Sequence, residues 1–179
     1  MTVQHLCGSH VPKGEDTMGS MFHRGAGTGA SYLGPGDTYT WLVTGEESDG
    51  KYFAMYAIIP PNGGPPPHIH TREDETFYVL EGNPSFFVED HWVDAAPGDF
   101  VNIPIGMLHC FNNFTDTPTT MILTFTPAGI EKMFEECLER VYDLTAPIPD
   151  NLDEVGARYA EAGPRYGMEF FPDYDTGRS

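Results

Sequence analysis

Two histidines one residue apart, with a glutamate five residues later, make the stretch GPPPHIHTREDETFYVLEG (Gly64 to Gly82) the first candidate for chemistry. Side chains alternate between the faces of a strand, so His68 and His70 point the same way, about 6.6 Å apart along it. Glu75 is an odd step from His70 and would face the opposite side of one continuous strand. The polar run Thr71 to Asp74 predicts a turn, after which the strand restarts with its own register.

A third histidine follows in GDFVNIPIGMLHCFNN (residues 98–113), just after a Pro-x-Gly turn. In the strand predicted there, Met107, His109 and Phe111 share one face, and Cys110 points away as a buried apolar residue. Three imidazoles and one carboxylate suit one divalent transition metal ion per chain (Fe, Mn, Ni, Co, Cu or Zn). Such a set leaves coordination positions open for substrate, water or dioxygen. The other histidines stand in no ligand spacing: His5, His10, His23 and His91.

Short strands must position these residues. The chain has 179 residues, 40% hydrophobic and 13% aromatic, with 20 Gly and 16 Pro that interrupt it at short intervals. Segments rich in aromatic and branched residues alternate with turn clusters: DTYTWLV, KYFAMYAII, ETFYVLEG, PSFFVED, HWVDA, DFVNIP, MLHCFNN and TTMILTFTP. About eight short strands without a long helix between them predict an all-β sandwich or small barrel in a single domain.

The two ends of the chain differ from this β-rich middle. Residues 1–30 are rich in Gly, Ser and Thr and predict a flexible or wrapping arm, residues 31–127 the barrel, and residues 128–179 a helical extension of the same domain. The segment 129–144 carries a helical apolar stripe of Ile130, Phe134, Cys137, Leu138 and Val141. A second helix is predicted from Asn151 as N-cap to Gly163 as its end. Both helices are expected to pack outside the sheet.

Charge and cysteine content limit the partners and the compartment. With 27 Asp and Glu against 9 Lys and Arg, the formal net charge is −18, which disfavours nucleic acid and membrane surfaces. No apolar run approaches the length of a membrane span, and no signal peptide is visible. Three cysteines in no recognisable spacing suggest unpaired thiols. These features together predict a cytoplasmic protein.

The two histidine-bearing stretches resemble the paired motifs of the cupin superfamily. The first motif falls on His68, His70, Glu75 and Gly82, although Gly63 and Gly64 both lie too close to His68 for its initial glycine. The second, G-x5-P-x-G-x2-H-x3-N, matches in full at Gly98, Pro104, Gly106, His109 and Asn113. The resemblance implies a double-stranded β-helix, that is, a jelly-roll barrel, with His68, His70, Glu75 and His109 as metal ligands.

Among cupins, the chain is most similar to small quercetin 2,3-dioxygenase-like proteins. That resemblance implies cleavage of a flavonol-like or other aromatic substrate by O2, with Glu75 as both ligand and general base. Seven apolar residues are expected to form the substrate pocket: Phe53, Met55, Phe77, Val79, Met107, Phe111 and Phe125. A non-oxidative metal-dependent cupin (isomerase or polyketide cyclase) and a non-catalytic small-molecule-binding cupin stay open. A homodimer is expected, because cupin edge strands usually pair between subunits.

Overall fold

The computed structural model describes residues 21–34, 36–143 and 152–178. Within these ranges it contains twelve strands and two helices. The strands are β1 (Ser31–Leu33), β2 (Thr38–Val43), β3 (Phe53–Ile59), β4 (His68–His70), β5 (Asp74–Glu81), β6 (Ser85–Val88), β7 (His91–Asp94), β8 (Phe100–Ile103), β9 (His109–Asn112), β10 (Thr119–Thr126), β11 (Glu139–Val141) and β12 (Met168–Phe170). The helices are α1 (Glu131–Cys137) and α2 (Leu152–Tyr166).

The strands form two antiparallel sheets. The seven-stranded sheet has the order β11-β1-β2-β3-β10-β5-β8, and the five-stranded sheet has the order β12-β4-β9-β6-β7. Neighbours such as β5 and β10 lie far apart in sequence, as the crossing connections of a jelly roll require. The predicted all-β jelly roll is therefore confirmed.

Aromatic side chains fill the space between the sheets. Phe77 of β5 lies 4.9 Å from the ring of Phe86 in β6 and 5.5 Å from that of Phe111 in β9, measured between ring centroids. Phe77 is completely buried, and burial of one such side chain contributes about 2–3 kcal/mol to stability. On β10 the alternate residues Met121, Leu123 and Phe125 face the same interior.

Helix α1 packs on the seven-stranded sheet. The ring of Phe134 lies about 6 Å from those of Trp41, Phe53 and Phe125, which belong to β2, β3 and β10 of that sheet. Helix α2 packs on α1 through Tyr159, whose ring is 6.1 Å from that of Phe134. The helices lie outside the sheets, as predicted.

The predicted helix over residues 129–144 is wrong in length. Helix α1 ends at Cys137, and Glu139–Val141 form β11, which pairs with β1. The stripe residues Ile130 and Phe134 are buried as expected. Strand β1 would otherwise be a sheet edge with unpaired backbone groups, and pairing with β11 satisfies them.

The second helix was predicted to end at Gly163 but extends to Tyr166, with Pro164 inside it. A Cβ at Gly163 would lie 2.6 Å from the carbonyl oxygen of Met168, so this glycine permits close packing of β12. The chain leaves the helix at Gly167, whose φ of +83° is in the left-handed region that glycine favours. Asn151, the expected N-cap, lies outside the described residues.

Most of the expected N-terminal arm, residues 1–20, also lies outside the described residues. In the described part of this arm, residues 21–30, Arg24 donates a hydrogen bond to the carbonyl of Leu42, and the carbonyl of Ala30 accepts one from the backbone N–H of Trp41. The proposed boundaries at residues 30 and 127 stay a prediction, as does the homodimer. Neither α1 nor α2 has the length and apolar character that a membrane crossing requires.

Candidate metal centre

Three strands bring the four predicted ligand residues together. His68 and His70 are the buried first and last residues of β4, with Ile69 turned to the opposite face. His109 begins β9 and is paired directly with His68. Glu75 reaches the same site from β5, because residues 71–73 form the bend that the spacing of these residues predicts between the strands.

The four side chains converge on a point and are almost inaccessible to water, with exposures of 1–3%. One ligand atom from each lies within 4.8 Å of the others. The Oε2 atom of Glu75 is 2.9 Å from Nε2 of His109, 3.3 Å from Nε2 of His70 and 4.0 Å from Nε2 of His68. All three imidazoles therefore present the same ring nitrogen to one carboxylate oxygen.

Backbone carbonyls fix the opposite ring nitrogens of two of these histidines. Nδ1 of His68 lies 2.9 Å from the carbonyl of Pro66, and Nδ1 of His109 lies 2.9 Å from that of Met107. A ring that donates from Nδ1 keeps a lone pair on Nε2, the tautomer that metal ligation needs. The donor set and its orientation fit a divalent transition ion.

The third histidine faces a carboxylate from its Nδ1 side. Nδ1 of His70 lies 3.7 Å from Oε2 of Glu73, an ion-pair distance longer than a hydrogen bond. Burial opposes a charge on His70, but the carboxylates of Glu73 and Glu75 outweigh it and raise the pKa of His70 to about 9. Glu73 is itself 3% exposed. Sequence reasoning assigned it to a polar turn, although its spacing of two from Glu75 was a usable signal.

The site holds its carboxylate ionised. Burial alone would raise the pKa of Glu75, but hydrogen bonds and charges from His109 and His70 outweigh burial and lower it below the usual range. Burial, followed by the rings of His109 and His70, lowers the pKa of His68 well below its ordinary value. The result is an anionic Glu75 beside a neutral His68, the protonation states that metal ligation requires of these two residues.

The other motif residues support the backbone around the site. Asn113 is completely buried, and its amide donates to the carbonyls of Ile59 and Thr117 at 3.1 and 2.8 Å. Gly64 has a φ of +138°, and a Cβ there would clash with the carbonyl of Phe111. These contacts hold the chain before β4 against the end of β9, which sets the distance between their histidines.

The expected pocket residues are mostly core. Of the seven, six have exposures of 0–3%: Phe53, Met55, Phe77, Val79, Phe111 and Phe125. Met107 is partly buried against the same core. Phe125 packs against a candidate ligand, its ring centroid lying 5.5 Å from that of His70. Their role as substrate wall stays a prediction.

A cavity of about 480 Å³ lies beside the candidate metal centre. Helix α2, the segment Gly64–Pro66, and β12 enclose it, with Asp37 and Tyr39 also in its wall. In the described chain, its lining includes none of the seven expected pocket residues. Its walls come from segments distant in sequence, so no local pattern indicated it.

Strand β12 connects the cavity to the ligands. Met168 is paired with His70 and Phe170 with His68, so these side chains share the face of β4 that carries both histidines. The ring centroid of Phe170 lies 5.9 Å from that of His68. Phe170 lines the cavity and also packs beside His68, so the cavity lies next to the candidate metal centre.

The other histidines and cysteines that the structure describes are not part of this centre. His91 forms an exposed pair with Asp90 at 3.0 Å, and His23 is exposed. Cys110 and Cys137 are free and buried. His5, His10 and Cys7 lie outside the described residues.

Comparison with known proteins gives one match to a family model. Residues 55–125 match the family model described as the cupin domain. The chain is 26% identical over 100 residues to a quercetin 2,3-dioxygenase of Bacillus subtilis, a match over 55% of this chain and 29% of the relative. The chain spans half or less of the length of the curated relatives it matches.

Two solved structures, each below 25% identity, support the fold alone. A predicted oxalate decarboxylase from Thermotoga maritima superposes with a TM-score of 0.55 at 19% identity, covering 60% of this chain and 99% of that one. An RmlC-like cupin from Shewanella frigidimarina has a TM-score of 0.53 at 21% identity, covering 64% and 99%.

Proposed function

Because the chain belongs to the cupin superfamily, we propose that it is a metal-dependent dioxygenase that uses O2 to cleave a flavonol-like or other aromatic substrate. The observation that carries the proposal is the buried set of His68, His70, Glu75 and His109, together with the similarity to a quercetin 2,3-dioxygenase. His68, His70, Glu75 and His109 would hold one divalent ion. The ion, when bound, supplies Lewis-acid stabilisation of an anionic substrate oxygen and a partner for O2.

The proposed general base is Glu75. Its carboxylate is ionised and buried, so Oε2 carries no proton of its own, although the lowered pKa makes it a weaker base than a free carboxylate. A carboxylate that also binds an ion is a weaker base, so this role requires Glu75 to be loosely held by the ion. The two other residues nearest its Oε2, His109 and His70, would keep the carboxylate in place while it carries the proton.

The surroundings of the site favour an apolar, aromatic substrate. The rings of Phe125 and Phe170 lie within 6 Å of the rings of His70 and His68, respectively. Apolar walls exclude water, which strengthens electrostatic interactions inside the site and suppresses hydrolysis of reactive species. A metal centre among aromatic residues suits an aromatic substrate better than a sugar phosphate.

Oxygen uptake tests the proposal. The full chain, loaded separately with iron, manganese, cobalt and nickel, is mixed with quercetin in an oxygen electrode. We expect uptake that needs both the metal and the flavonol and that disappears in His109→Ala, while His91→Ala, a histidine away from the site, behaves as the parent protein. No uptake with any of these ions would refute flavonol dioxygenation and direct attention to non-oxidative chemistry.

The role of Glu75 has a separate test. Glu75→Gln keeps the shape and one oxygen donor but removes the base, so we expect turnover to fall by about 10²- to 10⁴-fold. Metal content, measured by atomic emission, should be partly retained. Turnover equal to that of the parent protein would rule out Glu75 as the base.

A further inference from the structure

The cavity beside the candidate metal centre is built mainly from apolar groups. The rings of Tyr159 and Phe170 pack edge to face with centroids 5.9 Å apart, and Pro65 and Pro66 also line the cavity. Apolar walls with rings and proline faces suit a flat molecule, because such surfaces stack on aromatic systems. The volume of about 480 Å³ is in the range of small-molecule sites.

One acidic residue interrupts this apolar lining. Asp37 is 2% exposed and lines the cavity next to Tyr39, whose hydroxyl donates to Oδ2 of Asp37 at 2.9 Å. The other oxygen, Oδ1, has no hydrogen-bond partner within the residues that the structure describes. A Cβ at Gly63 would lie only 2.9 Å from Oδ1, so glycine at this position permits the close approach of the carboxylate.

A buried carboxylate oxygen without a donor is costly, since it loses its water without replacement. A ligand hydroxyl that donates a hydrogen bond to this oxygen would remove that cost. The position of Asp37 in the wall of a cavity that extends to Phe170, whose ring packs beside that of His68, gives that ligand a defined place.

We propose that the cavity is the substrate pocket of the metal site and that Asp37 selects an aromatic substrate whose hydroxyl donates a hydrogen bond to Oδ1. This inference rests on the proposed function, because it assigns the substrate class of the same site. The substrate lies among Tyr159, Pro65 and Pro66, with one end at Asp37 and the other directed past Phe170 toward His68. Asp37 is a specificity-determining residue, and Tyr39 is a positioning residue that holds its carboxylate.

Two ring compounds of nearly the same shape test the selection. 2-Naphthol carries the hydroxyl donor, and 2-methylnaphthalene replaces that hydroxyl by a methyl group. Their binding to the full chain is measured by fluorescence titration at pH 8, both as purified with metal and after chelator treatment. We expect 2-naphthol to bind at least tenfold more tightly, because a hydrogen bond to a charged acceptor is worth a factor of about ten or more.

Variants of Asp37 and of the cavity wall locate the effect. Asp37→Leu removes both oxygens at similar size and should abolish the preference for 2-naphthol. Gly156→Leu should weaken both compounds at least tenfold, because a Cβ at Gly156 meets open space and the longer side chain enters the cavity. Glu154→Leu, an exposed change on the same helix that does not line the cavity, is its matched control and should bind as the parent protein does.

Each outcome bears on the proposal separately from the dioxygenase reaction. Equal affinity for the two compounds in the parent protein, a preference that persists in Asp37→Leu, or normal binding by Gly156→Leu would overturn it. If Asp37→Leu does not fold by circular dichroism, Asp37→Asn replaces it and should reduce the preference below about threefold, since an amide accepts more weakly. The expected pattern without oxygen uptake supports the pocket and refutes the dioxygenase. Oxygen uptake unchanged in both Asp37→Leu and Gly156→Leu supports the dioxygenase and refutes the pocket.

Discussion

Replacement of Asp37 by asparagine should change the stability of the protein, relative to the parent, in a pH-dependent way. The variant should gain stability over the parent as the pH rises from acidic to neutral and alkaline values. Burial raises the pKa of Asp37 from 3.8 to about 7, while the hydrogen bond from Tyr39 opposes this rise only in part. The folded protein therefore keeps a proton on Asp37 at pH values at which the unfolded chain has released it. The asparagine amide has nearly the same shape as the carboxyl group and stays neutral in both states.

The size of the effect follows from proton linkage. A group whose pKa is raised in the folded state contributes stability below its unfolded pKa and loses it as the pH rises through the folded value. For Asp37 this interval runs from pH 3.8 to about 7. At about 1.4 kcal/mol for each pH unit, the parent protein should lose on the order of 4 kcal/mol of unfolding free energy across it.

Urea unfolding of the parent and of Asp37→Asn at pH 4, 5, 6, 7 and 8 measures this loss. Other titrating groups contribute alike to both proteins, so the difference between their unfolding free energies isolates Asp37. We expect that difference to shift by about 4 kcal/mol in favour of the variant between pH 4 and pH 8. Asp173→Asn, at an exposed position, serves as the matched control and should show no such trend. A difference between parent and Asp37→Asn that does not change with pH would refute the reasoning.

Two other buried carboxylates give further predictions. Glu131 accepts hydrogen bonds from the backbone N–H groups of Gly45 and Gly129 at 3.0 and 2.7 Å. Glu131→Ala should lower the unfolding free energy by about 2–5 kcal/mol in urea titrations, because two N–H groups lose their acceptor. A loss under about 1 kcal/mol would contradict this assignment. Glu73→Ala should weaken metal binding by about 10- to 100-fold in chelator competition, because Glu73 faces Nδ1 of His70 and would orient its ring, and unchanged affinity would show that the 3.7 Å contact has no such role.

The strands were predictable because their signals are local. Alternating apolar residues on β10 and the run of aromatic and branched residues on β3 appear in the sequence as they do in the sheets. The end of α1 was not predictable from the sequence. The helical period of apolar residues continues through Glu139–Val141, but these residues pair with the edge strand β1 instead. Gly163 is likewise of a residue type that is typical of a helix end, but its glycine is explained by the close packing of β12.

The candidate ligands were predictable for a similar reason. The spacing of His68, His70 and Glu75 needed one turn, and the structure has it. Only the register between β4 and β9 places His109 beside them, and the motif supplied that long-range information. The cavity had no such motif, since it forms between Asp37, the segment before β4, and a C-terminal helix.

The residues within the cupin match and the residues that flank it contribute different parts of the site. The cupin match covers residues 55–125, and all four candidate ligands fall within it. Much of the cavity wall falls outside that match, both before it, at Asp37 and Tyr39, and after it, at Tyr159 and Phe170. A change in these flanking segments alters what fits beside the candidate metal centre without moving a ligand, because β12 meets β4 by backbone pairing. The flanks, more than the matched domain, should therefore determine which substrate this chain accepts.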